Sequence, residues 1–343
     1  MIAGPDLSRL GLAVGHATDD DGATGLTIVR GIDQPLRAGV AVFGRSTGTR
    51  ELLTASADHG VDGRIDAIML TGGSAYGLDA AAGVMRWMEE RNRGFSVGGG
   101  VVPIVPAAVV FDLAPLGRFD ARPTPQMAYD AAERATSTSI AEGSVGAGTG
   151  TTVGKILGPA FAMKGGFGCA MESLPSGAVN VAAMVVVNAF GDVRGANHEI
   201  IAGARAEDGS FVDATAVLRR GDIAPPAVFE DLSRRNTTLA VVAVDVPLDA
   251  TALGKLARAA GAGLFNRISP VGSSFDGDVV FALAPLAGDR WELGVAGRRG
   301  RFEPMVIEAL AVTALEQAVE RAVRLARGRD GVPGLADDHG NRH

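Results

Sequence analysis

The stretch LSRRNTTLAVVAVD, residues 232–245, governs the reading of the whole chain. Arg234, Arg235 and Asn236 run into Thr237 and Thr238, and the chain then becomes an apolar, valine-rich run. Two readings compete. Threonine opens strands routinely, because β-branched side chains suit a pleated surface. Alternatively, Thr237 is a residue meant to become a chain terminus. A terminal threonine can use its own α-amino group, with an ordinary pKa of about 7.7–8, as general base for its hydroxyl. That chemistry needs no histidine, and this chain has only five, scattered at positions 16, 59, 198, 339 and 343. It does need the Asn236–Thr237 bond to break. The hydroxyl can do this itself: attack on the Asn236 carbonyl gives an N→O acyl shift, and water then hydrolyses the ester.

Around this stretch, strand-like runs recur at 24–30, 65–73, 161–168, 178–193, 237–245 and 277–285. Helical patterns alternate with them. Residues 76–94 follow a glycine-rich turn and stop at Gly94, and residues 248–263 carry Asp249 as an N-cap. Residues 124–137 have the same character, and residues 303–328 start near Pro304 and end at Gly328. The mixture predicts a layered α/β (α+β) fold. One catalytic domain, residues 1–343, is expected, cut into 1–236 and 237–343. Residues 205–235, charged and without a sustained period, read as a flexible exposed linker that gives the new ends slack. The tail 329–343 reads as disordered.

Composition narrows the function. With 343 residues, 47% hydrophobic and 21% charged, the chain can bury a sizeable core. Its 48 glycines against 5% aromatics favour tight turns and close backbone approaches. A formal charge of −7 disfavours nucleic acid. The single cysteine, Cys169, excludes an internal disulfide framework and fits a reducing compartment. No stretch reaches the roughly 20 apolar residues of a membrane span, and the N-terminus lacks the pattern of a signal peptide. A cytoplasmic protein without membrane partners is expected.

Several familiar signatures fail. GGSAYG (72–77) has Tyr76 where a nucleophile elbow around Ser74 needs glycine. GSVGAGTGTTVGK (143–155) misses the phosphate-loop pattern at Thr149 and Ile156, and reads more simply as a loop that packs closely. No cluster of histidine and cysteine suggests a metal, so no cofactor is expected.

Other residues can be joined to Thr237. Asp276 and Asp278, two apart, share one face if the following strand begins early enough. Such a pair could hold the Thr237 ammonium or orient its hydroxyl. Asp-Gly-Asp is equally a common turn. Asn188, after three valines, is out of place in a core strand unless paired, and its amide could donate to an oxyanion. It could as well be a strand-end cap. Lys155 could supply positive charge to the same site or lie on the surface.

At these residues the sequence resembles the self-processing hydrolases that include the L-aminopeptidase/D-esterase, the β-peptidyl aminopeptidases and the nylon-oligomer (6-aminohexanoate oligomer) endohydrolase. The resemblance spans nearly the whole chain, including residues 14–29, 70–90, 102–113, 143–155, 162–168, 179–193 and 236–245. It implies a four-layer αββα sandwich with layering like that of N-terminal-nucleophile hydrolases. It also implies that Thr237 is the nucleophile, Asn236–Thr237 the autocleavage site and Asn188 the oxyanion asparagine. Asp276 and Asp278 match the acidic pair, and Lys155 the active-site lysine, of the nylon-hydrolase branch. The Asn-Thr junction resembles that branch too, the aminopeptidase branch having Gly-Ser there. Phe111 stands where many members carry a tyrosine, so a phenolic donor is missing. The implied activity is hydrolysis of small peptides or ω-amino-acid amides, in a tetramer of cleaved protomers. Two alternatives stay open. Ornithine acetyltransferases also process themselves at a threonine, though with a preceding motif that SRRNTT lacks, and a catalytically silent binding protein could share the fold.

Overall fold

The computed structural model describes residues 4–56, 63–221, 235–286, 294–295, 298–299 and 303–339. In chain order its main strands are β1 (Leu12–Asp19), β2 (Thr24–Gly31), β3 (Leu36–Val42), β4 (Thr49–Arg50), β5 (Arg64–Ile65) and β6 (Ala67–Thr71). They continue with β7 (Ala107–Val109), β8 (Gly166–Ser173), β9 (Asn180–Asn188), β10 (Thr237–Val244) and β11 (Val279–Pro285). The main helices are α1 (Ala81–Glu89), α2 (Pro125–Glu133), α3 (Ala250–Ala260), α4 (Ala262–Arg267) and α5 (Glu303–Arg324). One sheet has the order β1-β2-β6-β7-β4, and the other β8-β9-β10-β11-β3-β5.

Side-chain alternation turns these sheets into four layers. On β10, Leu239, Val241 and Ala243 point toward the first sheet and meet Val29, Ile68, Leu70 and Ala108 in a shared core. Ala240, Val242 and Val244 point the other way, against Leu253, Leu256, Ile307, Ala311 and Leu315 of α3 and α5. Burial on both faces is why this strand reads as a continuous apolar run rather than an alternating one. The outer face of the first sheet, with Ile28, Met69 and Ala107, packs on Val84, Trp87 and Met88 of α1 and on Ala128 and Ala131 of α2. The order is therefore helix, sheet, sheet, helix, as the resemblance implies. The cap read from the sequence is present, the Asp249 side chain accepting from Ala252 N–H, and Thr124 caps α2 in the same way through Met127 N–H.

Of the strands longer than three residues, β1 and β3 lie wholly outside the runs singled out in the sequence. Their glycines and alanines dilute the apolar signal, and pairing with β2 and β11 supplies what local pattern lacks.

Two sequence expectations need correction. Within the expected linker, residues 205–221 are structured: Ala204–Arg205 pairs with Phe211–Val212, and Ala214–Arg220 is a short helix. The buried Asp192 carboxylate anchors both by accepting from Ala204 and Ala214 N–H, a long-range tie invisible to local periodicity. Residues 222–234 lie outside the described residues. Within the expected disordered tail, residues 329–339 are packed. Val332 is buried against Ala23 and Leu116, the Pro333 carbonyl accepts from Lys164 N–H, and the Asp337 carboxylate caps Gly328 and Gly334.

The glycine-rich loop 143–155 packs as its simpler reading expects. A Cβ on Gly148 would lie 2.3 Å from the Phe167 nitrogen, so only glycine fits beside β8.

Phe281, fully buried between the two sheets, tests this layering. Phe281→Ala is expected to lower stability by about 3–5 kcal/mol in denaturant unfolding. A loss below about 1 kcal/mol would contradict a close-packed inter-sheet core.

Candidate active site

The site forms where three central strands of the second sheet end together. β9 and β10 pair antiparallel with Asn188 opposite Thr237, which puts both side chains on the face toward the first sheet. β11 runs parallel to β10 with Val279 beside Leu239. The ladder continues one step further as a parallel bridge between Asn236 and Asp276. Asn236, Thr237, Asn188, Lys155, Asp276 and Asp278 are all buried. Four separate stretches of sequence thus meet here, and strand alternation sets the directions of Asn188 and Thr237.

The Lys155 ammonium is the hub. It donates to the Asn188 carbonyl (3.0 Å), to Asn188 Oδ1 (3.0 Å), to Asn236 Oδ1 (3.1 Å) and to the Arg235 carbonyl (3.2 Å). Asn188 is held from both ends. Its Oδ1 also accepts from Thr152 N–H (3.1 Å), while its Nδ2 donates to the carbonyls of Arg235 (2.9 Å) and Phe111 (3.2 Å). These contacts fix which end of the amide is which. An amide oxygen faces two donors and the NH₂ faces two acceptors.

At the Asn236–Thr237 peptide bond, the Thr237 hydroxyl donates to the Asn236 carbonyl oxygen at 2.5 Å. The same oxygen accepts from Gly277 N–H at 3.0 Å. Gly277 must be glycine here. A Cβ would lie 2.8 Å from Thr237 Oγ1 and 2.7 Å from the Ser46 carbonyl oxygen.

The acidic pair sits differently from the sequence expectation. Strand β11 starts at Val279, after both residues, so alternation does not set their directions. They shape the turn instead. Asp278 accepts from Thr238 N–H (2.5 Å) and Gly272 N–H (2.9 Å), and Asp276 accepts from Ser273 N–H (2.8 Å). Asp278 therefore grips the backbone one residue beyond Thr237.

Burial governs the ionisation of all three charged groups. It lowers the Lys155 pKa to about 7, with Asp276 acting in the opposite sense and the Arg235 charge adding to the fall. Burial raises Asp278, and the neighbouring Asp276 raises it further, against the N–H donors of Thr238 and Gly272. Asp276 is also raised by burial, opposed by its bonds to Ser273 and by Lys155. A lysine that titrates near neutrality beside two carboxyls raised by burial is the kind of arrangement found at reactive centres.

Sequence reasoning missed four backbone participants: Gly277 N–H, Thr152 N–H and the carbonyls of Phe111 and Arg235. Main-chain groups carry no residue-type signal, although the glycine between two aspartates was a visible clue. It also missed a buried pair behind Phe111. The Asp112 carboxylate accepts from Thr24 (2.7 Å) and Gly73 (2.6 Å), and Lys164 donates to the carbonyls of Thr149 (2.8 Å) and Thr151 (2.7 Å). No group of three or more metal-binding side chains occurs among the described residues. None of the helices searched among them is long and apolar enough to cross a membrane.

The profile of Peptidase family S58 matches residues 10–335. The chain belongs to peptidase family S58. It is a hydrolase of peptide or amide bonds. An uncharacterised aminopeptidase of Mycobacterium leprae is 39% identical over 302 residues, covering 81% of this chain and 77% of the relative. The 6-aminohexanoate-oligomer endohydrolase of Kocuria sp. is 28% identical over 287 residues, 80% of this chain and 72% of that protein. In fold, the chain is similar to the L-aminopeptidase D-Ala-esterase/amidase of Ochrobactrum anthropi, described as a variant of the Ntn hydrolase fold. The TM-score is 0.69 at 20% identity, over 96% of this chain and 90% of the other.

The buried lysines give a signed pH prediction. Lys155 and Lys164 are both lowered from 10.5 to about 7 by burial. Between pH 7.5 and 8.5 they are mostly neutral when folded and protonated when unfolded. The unfolded state then binds more protons, so stability rises with pH. The raised aspartates Asp112 and Asp192, at about 6, have already ionised in this window, and Asp278, raised to about 7, opposes the rise only at its lower end. Urea unfolding of a Thr237→Ala chain should show the rise, and Lys155→Met should flatten it. A slope unchanged by Lys155→Met would contradict a neutral buried Lys155.

Proposed function

We propose that the chain is a self-processing amide hydrolase with Thr237 as its N-terminal nucleophile. One observation carries the reading: the Thr237 hydroxyl lies 2.5 Å from the Asn236 carbonyl oxygen, and a backbone N–H polarises that same carbonyl. A hydroxyl so close to the bond that must break needs little movement to attack it. As Oγ bonds to the Asn236 carbon, charge develops on the carbonyl oxygen, where Gly277 N–H already donates. Collapse breaks the C–N bond, and the hydroxyl proton ends on the Thr237 nitrogen. Water hydrolyses the ester, leaving a carboxylate on Asn236 and a free amine on Thr237.

In turnover, the amine takes the hydroxyl proton while Oγ attacks the substrate amide. Asn188 Nδ2, relieved of the Arg235 carbonyl once that segment leaves, stabilises the oxyanion. Lys155 holds Asn188 in register and adds positive potential. Asp276 and Asp278 hold the turn that carries Gly277 and face the new ammonium. The substrates in this reading are small peptides or ω-amino-acid oligomer amides. The name of the Kocuria endohydrolase and the aminopeptidase names of the other relatives support that choice. The working form is a tetramer of cleaved protomers, as the resemblance implies, in the cytoplasm, as the composition suggests.

Amide hydrolysis by variants tests the assignment. Thr237→Ser should keep activity and Thr237→Ala should abolish it. Asn188→Ala should lower kcat by about 10²–10³, as expected for loss of one oxyanion donor. Wild-type rates in Thr237→Ala would overturn the reading.

A further inference from the structure

The residues on the acyl side of the Asn236–Thr237 bond are themselves an acyl group seated in the site. The ester of the self-cleavage step joins the Asn236 carbonyl to Thr237 Oγ. An acyl-enzyme made from an external substrate ending in Arg-Asn would contain the same bond and the same two residues, differing only in being untethered. The contacts of Arg235 and Asn236 are therefore the contacts that an acyl group makes in this site.

Those contacts extend beyond one residue. The Asn236 backbone prolongs β10 as a strand, bridged in parallel to Asp276, with its carbonyl on Gly277 N–H. Its side-chain Oδ1 accepts from the buried Lys155 ammonium at 3.1 Å. The Arg235 carbonyl, one residue further from the bond, accepts from Lys155 at 3.2 Å, a bond an acyl group keeps when Asn188 Nδ2 turns from that carbonyl to the oxyanion. The Arg235 guanidinium lies 5.2 Å from the centre of the Phe111 ring, in a cleft also lined by Ala114, Pro115, Thr152, Lys155 and Pro159. Strand extension supplies main-chain affinity, and the lysine and the aromatic ring supply selectivity.

We infer that the processed enzyme takes extended acyl groups. It cleaves after a residue whose side chain carries a hydrogen-bond acceptor, preceded by a residue with a cationic side chain, and not after a single unblocked amino acid. The inference rests on the self-processing reading. It gives Phe111, which lacks the phenolic hydroxyl of many relatives, a binding part through its ring face. The atoms balance as in self-cleavage: Oγ bonds to the acyl carbon, the substrate C–N bond breaks, and the departing amine leaves with the proton.

The test uses wild-type protein whose cleavage at 236–237 has been checked by intact mass. Three fluorogenic 7-amido-4-methylcoumarins are compared: acetyl-Arg-Asn, acetyl-Leu-Asn and unblocked Asn. The acetyl-Arg-Asn amide should show kcat/KM about tenfold above each of the others, the scale of one desolvated cation–π contact. Phe111→Leu should narrow the arginine-over-leucine ratio to about threefold or less. Unblocked Asn amide hydrolysed as fast as the extended amide would overturn the inference. Failure of cleaved enzyme to hydrolyse any of the three would overturn it as well. A chain that stays uncut would instead overturn the self-processing reading beneath it, and the mass spectrum separates the two failures.

Discussion

The ammonium of Lys155 is the contact on which the site closes. It is buried, and an isolated buried charge is costly enough to shift its pKa or recruit partners. Here both happen. Four oxygens, from Asn188, Arg235 and Asn236, surround it, and its pKa falls to about 7. Because those oxygens belong to the end of β9 and to the segment before β10, one cation ties together the Asn188 amide and the residues that precede Thr237. Without it, Asn188 Oδ1 would keep only the bond from Thr152 N–H.

The sandwich makes that contact possible. Strands buried on both faces must end somewhere, and their ends leave backbone groups without ladder partners. In this fold the ends of β9 and β10 and the turn before β11 coincide at one edge, so side chains there complete each other's hydrogen bonds. Asp278 accepts from the backbone of Thr238, Gly277 donates to Asn236, and Asn188 spans two carbonyls. The groups that finish the sheet are the same groups that surround the Asn236–Thr237 peptide bond. Structural and chemical demands are met by one set of contacts.

How much of this was legible follows from where each signal is stored. The run from Thr237 to Val244 announced a buried strand, and Asp249 marked a helix start, because those signals are local in sequence. Asn188 stood out as an amide in a valine run, and the structure joins it to Lys155 and sets it opposite Thr237. The Asp276–Asp278 spacing misled as to direction, since alternation applies only inside a strand and β11 begins later. The tail and the first half of the expected linker were misread because their order comes from distant partners, Lys164 and Asp192. Gly277 and the carbonyls of Phe111 and Arg235 act through the main chain, which one sequence does not distinguish.

The central claim is that Thr237 frees its own amine. Intact-mass spectrometry of freshly purified protein beside Thr237→Ala, with N-terminal sequencing of any small fragment, tests it most directly. The account predicts fragments 1–236 and 237–343 in the wild type, the second beginning Thr-Thr-Leu, and one uncut chain in the variant. A wild-type chain that stays whole over days, or a cut at another bond, would contradict it.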